Sequence, residues 1–103
     1  MDELRIDVMT PLGFRVVCSS VDWQRIAGIK HPPMRGRIRD VERTLTEPDE
    51  IRLSRKDPEV MLFHRRQGER WVSAVVHRGR FVGRLITAYP ADKVKQGDLL
   101  WRR

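Results

Sequence analysis

The chain contains little cysteine, few aromatic residues and no long hydrophobic run. Its 103 residues include a single cysteine, Cys18, which excludes an internal disulfide and is expected to be a small buried thiol. No segment approaches the roughly 18 apolar residues of a membrane span. Residues 1–5 also lack the basic start and apolar core of a signal peptide. These absences predict a cytoplasmic protein that makes no use of a membrane.

The sequence also lacks the signatures of metal and nucleotide sites. Its three histidines, His31, His64 and His77, are widely separated, and no cysteine pair or carboxylate cluster has the spacing of metal ligands. No glycine-rich loop precedes a helix, as a phosphate-binding loop would require. The sequence therefore predicts neither a metal nor another cofactor.

Positive charge is abundant. Lysine and arginine number 21 against 14 acidic residues, giving a net charge of +7 and a sequence pI near 10.7. Such a bias attracts polyanions, and nucleic acid is the first candidate. A helix that lies on an anionic membrane needs a long apolar face opposite clustered cations, and no segment has one. An acidic protein remains the alternative partner.

The length predicts one domain, residues 1–103, whose first half is a hairpin followed by two helices. Strands are expected within about residues 4–18, and helices within about 20–46. Ser19 or Ser20 caps the first helix, and Asp22 stands at the capping-box spacing. That helix ends near His31, since prolines follow, and the second of them, Pro33, is placed to start the next helix. The second helix carries an apolar stripe of Met34, Ile38, Val41 and Leu45.

The second half predicts an antiparallel sheet within about residues 50–89. A short strand at 51–54 precedes strands at 60–65, 70–77 and 81–89, and the last three are joined by turns short enough to form hairpins. A basic tail, 92–103, ends in an apolar group that is expected to dock as a final strand. The predicted fold class is α+β, with an N-terminal hairpin and two helices packed on a C-terminal antiparallel β-sheet.

If the two hairpin turns are centred on Gly68 and Gly79, several polar side chains lie on one face of this sheet. Such turns place Arg65 opposite Trp71, and Trp71 opposite Thr87; directly paired residues share a face. The predicted row consists of Arg65, Trp71, Ser73, Thr87 and Tyr89. The other face is apolar and is the expected floor for the helices: Leu62, Val72, Ala74, Val76, Ile86 and Ala88. A slip of one residue in either hairpin would move half of the row to the other side.

Motifs spread along the chain resemble a known family. They are Trp23, Ile26, His31-Pro32, Thr44-Leu45, Pro48-Asp49-Glu50-Ile51, Ser54, Leu62-Phe63, Arg65, Val75-Val76, Ile86-Thr87-Ala88-Tyr89, Lys95, Gly97 and Leu100-Trp101. In this order they resemble the small phage-associated and bacterial proteins of the superfamily that unites barnase, colicin-type and RelE-type ribonucleases. The resemblance covers residues from about 14 to 102.

The resemblance implies a barnase/RelE-like α+β fold and a metal-independent, often toxin-like endoribonuclease. Carried over by motif, the catalytic positions are His31, Arg65, Thr87 and Tyr89. A third interpretation makes the basic surface a docking site for an acidic antitoxin or inhibitor protein. Three positions depart from the family pattern: Pro33 stands where an acidic residue is usual, Arg25 replaces a frequent histidine, and His64 replaces a common tyrosine.

Cleavage of RNA without a metal needs a base for the ribose 2′-hydroxyl, a cation for the phosphorane and an acid for the leaving oxygen. His31 suits the base or the acid, Arg65 the phosphate, Tyr89 proton donation or stacking, and Thr87 positioning. If the first helix covers the apolar face, His31 reaches the row only around the sheet edge. Further RNA contacts are expected from Trp71, Ser73, Arg35, Arg39, Arg43 and Lys95. The alternative is a non-catalytic RNA-binding or protein-interaction module on the same fold.

Overall fold

Seven strands form one mixed sheet in the computed structural model, which describes residues 3–103; Met1 and Asp2, at the start of the predicted domain, lie outside the described residues. The strands are β1 (Leu4–Met9), β2 (Arg15–Ser19), β3 (Glu50–Leu53), β4 (Val60–Gln67), β5 (Arg70–Arg78), β6 (Val82–Ala91) and β7 (Asp98–Arg102). Their order across the sheet is β1-β2-β6-β5-β4-β3-β7. With two α-helices, this arrangement confirms the α+β class.

The N-terminal hairpin belongs to the same sheet, which corrects the prediction of a separate, wholly antiparallel C-terminal sheet. β2 runs parallel to β6 from the pair Arg15–Val82 to the pair Val17–Arg84, whereas the other neighbouring strands are antiparallel. Gly83 permits this approach, because a Cβ there would lie 2.9 Å from the Phe14 ring. A glycine inside a strand commonly marks such close packing.

The helical segments follow directly from β2. Helix α1 (Ser20–Arg25) is capped as predicted, since Ser19 Oγ accepts a hydrogen bond of 3.0 Å from the Asp22 amide. A π-helical stretch over Ile26–Lys30 continues it up to His31. The second helix begins later than predicted: Pro32–Met34 forms a 3₁₀ turn, and α2 covers Ile38–Thr46. Gly36, with φ of +73°, separates the two, because a positive φ does not continue a right-handed helix.

One face of the sheet, the helix face, forms the core with these helices. From the helical segments the core takes Trp23, Ile26, Met34, Val41 and Leu45; from the sheet it takes Phe63, Val72, Ala74, Val76, Leu85 and Ala88. The predicted apolar residues thus face the core, with Ile38 at its margin, but Met34 lies in the 3₁₀ turn and not on α2 with the rest of the stripe. Two residues of the predicted apolar face are exceptions. Leu62 lies on the opposite face with its partners Arg52 and Val75, and Ile86 is the additional residue of a bulge in β6.

The opposite face, the outer face, is crossed by the segment 92–97, called the strap. It leaves β6 beside Trp71 and enters β7 beside Leu53, at the other end of the sheet. Arg52 Nη1 donates a hydrogen bond of 2.9 Å to the Gly97 carbonyl. A Cβ on Gly97 would lie 2.5 Å from the Leu53 carbonyl oxygen, so this close approach requires glycine. Within residues 3–103, no helix is long and apolar enough to cross a membrane.

Candidate functional site

The β4–β5 hairpin differs from the predicted register by one residue. Trp71 pairs with Arg66, and Arg65 pairs with Val72, so the predicted pairing of Arg65 with Trp71 is wrong. Gln67 pairs with Arg70, which leaves a two-residue loop whose first residue, Gly68, has φ of +65°. Two-residue hairpin loops with positive φ match the twist of the flanking strands and are preferred for that reason.

This shift exchanges two arginines between the faces of the sheet. Arg65 is on the helix face, where its Nη1 donates a hydrogen bond of 2.6 Å to the Glu47 carbonyl. Arg66 is on the outer face, and its guanidinium carbon lies 5.7 Å from the centroid of the Trp71 ring. Sequence reasoning missed Arg66, although the Gly68-Glu69 dipeptide was a signal for the shorter loop. The cation beside the indole is therefore Arg66.

The β5–β6 register also differs from the prediction, yet it preserves the row. Tyr89 pairs with Ser73, and Thr87 pairs with Val75, so the predicted pairing of Thr87 with Trp71 is wrong. From Trp71 to Val75, the partner on β6 differs from the predicted one by an even number of residues, because the bulge adds one residue to β6. Side chains alternate between the two faces with a period of two, so an even shift leaves each of them on its predicted face. Trp71, Ser73, Thr87 and Tyr89 therefore share the outer face, as predicted.

His31 meets Tyr89 at the edge of β6. Their ring centroids are 5.4 Å apart, with an interplanar angle of 40°. The contact is possible because β2 ends its pairing with β6 at Val17, and the chain then leaves the sheet to form α1. Lys30 Nζ donates a hydrogen bond of 3.4 Å to the Ile86 carbonyl on the exposed edge, next to His31. His31 thus reaches the row around the edge of the sheet.

The phenol of Tyr89 is suited to donate a proton rather than to accept one. Burial raises its pKa above the ordinary value of 10.0, since a low-dielectric environment disfavours the charged phenolate. Tyr89 therefore carries its proton at neutral pH. His31 is partly buried and keeps some access to solvent. The pair combines a protonated phenol with an imidazole, whose ring nitrogens can accept or donate a proton.

A polar row continues from Tyr89 across the outer face. Ser73, His64 and Glu50 occupy successive paired positions on β5, β4 and β3. Ser73 Oγ and His64 Nδ1 are 2.7 Å apart, and both residues are buried. The pKa of His64 is lowered to about 4, chiefly by burial; Glu50 and a hydrogen bond with the Lys95 main chain oppose this shift, and nearby Arg52 adds to it. His64 is therefore neutral at pH 7, and sequence reasoning gave it no role.

Glu50 and Arg52 complete this buried row beneath the strap. They form an ion pair on β3, and both side chains are largely buried. Arg52 also holds the Gly97 carbonyl, so the ion pair is linked to the strap. A carboxylate that is paired with a fixed guanidinium is a structural anchor. This end of the row therefore secures the strap, while its other end reaches His31.

Thr87 does not present its hydroxyl to a ligand. Within the described chain, its Oγ1 is buried and has no hydrogen-bond partner. A buried hydroxyl without a partner costs about 1–3 kcal/mol. Thr87 lies on the outer face beside Val75 but contributes no exposed polar atom to the surface.

The other predicted RNA contacts are dispersed. Arg39 and Arg43 are exposed on α2, which packs on the helix face, away from Tyr89. Arg35 donates a hydrogen bond of 3.2 Å from Nη2 to the Gly28 carbonyl. Lys95 belongs to the strap and lines a cavity together with Leu62 and Val75. The structure therefore does not assemble these cations around the His31–Tyr89 pair.

In the part of the chain that the structure describes, no three His, Cys, Asp or Glu side chains are grouped to hold a metal ion. No protein-family model matches the chain, and no curated protein or solved structure is significantly similar to it. The chemistry of the candidate site is therefore inferred from its own residues, of which the partly buried His31 and Tyr89 form the centre.

Proposed function

We propose that this protein is a metal-independent endoribonuclease of the toxin-like kind, acting on cytoplasmic RNA. The observation that carries the proposal is the contact between the His31 and Tyr89 rings at the exposed edge of β6. The net charge of +7 supports RNA as the substrate. The same charge favours an acidic antitoxin or inhibitor as a protein partner.

In this proposal His31 takes the proton from a ribose 2′-hydroxyl. The 2′-oxygen attacks the adjacent phosphorus, and the bond from phosphorus to the 5′-oxygen breaks. Tyr89, whose phenol is protonated at neutral pH, donates a proton to the leaving 5′-oxygen. The products are a 2′,3′-cyclic phosphate and a 5′-hydroxyl. Proton transfer by positioned groups typically contributes a factor of about 10²–10⁴ to the rate.

The phosphate needs a cation, and Lys30 is the one beside His31. The prediction gave this role to Arg65, but that guanidinium is bound to the Glu47 carbonyl on the helix face. Lys30 is exposed, and a hydrogen bond to the Ile86 carbonyl holds its ammonium at the edge of β6. Arg66 over Trp71 offers a second contact, since an indole with a guanidinium suits an unstacked base and its phosphate.

The test is incubation of the purified protein with a mixed RNA pool in EDTA, followed by mapping of the RNA ends. We expect cyclic-phosphate ends from the wild type, and a loss of at least about 100-fold in rate for His31→Ala and for Tyr89→Phe. The matched control is His77→Ala, which removes a histidine that is paired with Glu59 at 3.1 Å. Equal cleavage by wild type and both site variants would refute the assigned roles.

A second candidate, an RNA-binding module without catalysis, is supported by two observations. The Thr87 hydroxyl is buried, and Arg65 lies on the helix face, so fewer reactive groups meet than the motifs imply. The stacked pair of Arg66 and Trp71 would remain as a binding surface. In that case RNA stays intact for hours, while Trp71→Ala weakens binding by a factor of about five or more. The same incubation therefore separates the two candidates.

A further inference from the structure

A cationic cleft opens where β2 and β6 separate. Its volume is about 320 Å³, and its walls carry three cations, one carboxylate and two apolar residues: Arg25, Lys30, Arg84, Asp22, Leu85 and Ile86. Arg25 is paired with Asp22 at 2.7 Å, whereas the Lys30 ammonium donates a hydrogen bond to the neutral Ile86 carbonyl. The cleft therefore carries an excess of positive charge, which favours an anionic ligand.

An exposed aromatic residue immediately precedes β6, the strand that carries Arg84, Leu85 and Ile86 into the cleft. Phe81, at the tip of the β5–β6 hairpin, is 84% exposed. The turn is tight, since the Gly79 amide donates a hydrogen bond of 2.9 Å to the Val82 carbonyl. The guanidinium carbon of Arg80 is 5.6 Å from the centroid of the Phe81 ring. The hairpin tip thus presents an unpacked ring beside a cation.

These features follow one line along β6. Phe81 precedes the strand, Arg84 and Lys30 line the cleft at its middle, and Tyr89 contacts His31 near its far end. From Val82 to Tyr89 the strand extends about 23 Å at roughly 3.3 Å per residue. A cationic groove combined with a stacking ring is the usual arrangement for single-stranded nucleic acid, with site sizes of about four nucleotides or more.

We propose that this strip along β6 binds a single-stranded RNA segment, with phosphates in the cleft against Arg84 and Lys30 and a base stacked on Phe81. The phosphate presented to His31 and Tyr89 would then be at a fixed distance from the stacked base. The inference rests on the proposed function for RNA as the ligand, but it requires binding alone. A membrane-seeking surface would need a wide apolar face, whereas the exposed apolar residues of this hairpin tip are Phe81 and Val82, beside Arg80.

The test measures the binding of a fluorescent 2′-O-methyl oligonucleotide, which lacks the attacking hydroxyl and cannot be cleaved by the proposed route. We expect Phe81→Ala and Phe81→Leu to weaken binding by about fivefold to hundredfold, because only an aromatic ring stacks on a base. Arg84→Gln should reduce the slope of log affinity against log salt by about 0.7, the value for one phosphate contact on a single strand. Leu100→Ala and Arg102→Gln on β7, at the far edge of the sheet, are matched controls and should bind like the wild type.

The outcomes separate this proposal from the nuclease. Cleavage of ordinary RNA together with unchanged affinity in the Phe81 and Arg84 variants would overturn the strip and leave the nuclease standing. Binding that depends on Phe81 and Arg84 without any cleavage would support the strip and overturn the nuclease. Binding to phosphatidylglycerol vesicles that depends on Phe81, with unchanged RNA affinity, would also overturn the strip. Equal thermal midpoints of all variants would show that the affinity losses do not arise from unfolding.

Discussion

Acid should destabilise this protein through the buried His64. Its pKa in the folded chain is about 4, against an ordinary value of 6.5. Between these values the unfolded chain binds a proton that the folded chain does not, so stability falls as pH decreases from about 6.5 to 4. Linkage gives a loss of about 2.5 kcal/mol between about pH 7.5 and pH 4.5. The groups that face the imidazole are Ser73, Glu50, Arg52 and the Lys95 main chain.

The assay is urea unfolding followed by tryptophan fluorescence at a series of pH values. The double variant His64→Phe, Ser73→Ala removes the titrating ring and its buried partner together, so no polar group is left unpaired at that contact. We expect its free energy of unfolding to fall by about 2.5 kcal/mol less than that of the wild type over the same pH interval. His77→Gln, which removes a partly exposed histidine on β5, serves as the control. If the double variant loses as much stability in acid as the wild type does, the assignment to His64 is wrong.

Two further predictions concern stability. Gly97→Ala and Gly83→Ala should each destabilise the protein by about 1–3 kcal/mol in the same urea assay, because the added Cβ would meet atoms at 2.5 and 2.8 Å, respectively. Gly28→Ala is the control, since a Cβ there would have no atom within 4 Å. Equal urea midpoints for all three variants would refute the close packing. Ser19→Ala should cost about 1 kcal/mol, because it removes the cap of α1, and an unchanged midpoint would show that the cap is not needed.

Local patterns in the sequence correctly predicted those features that depend only on residues close together in the chain. The cap at Ser19 and the stripe of α2 follow from helix chemistry, and both were predicted. The helix start at Ile38 was not, because the positive φ of Gly36 divides the segment after Met34. The face shared by Trp71 and Tyr89 was predicted despite the error in the β5–β6 pairing, since alternation along a strand survives any shift by an even number of residues.

The missing parts of the site depended on turns and on contacts between distant segments. The sheet face of Arg65 was wrong because the loop at Gly68 contains two residues instead of three, and an odd shift exchanges the faces. The bulge at Ile86 could not be predicted from alternation, because it adds a residue to one strand of the pair only. The burial of His64 results from the strap that crosses it, and no local pattern indicates such a crossing.

The sequence by itself determined the class of fold, the charge and the shared face of Trp71, Ser73, Thr87 and Tyr89. These properties arise from composition and from the periodicity of apolar residues, which act over a few positions of the chain. Only the tertiary structure decided that β2 pairs in parallel with β6 and then leaves it, which opens an edge. Because β2 separates from β6 at this point, His31 contacts Tyr89, and Lys30 lines the same cleft as Arg84. Both results require segments far apart in sequence to pack together, and the free energy of that packing is spread over the whole core.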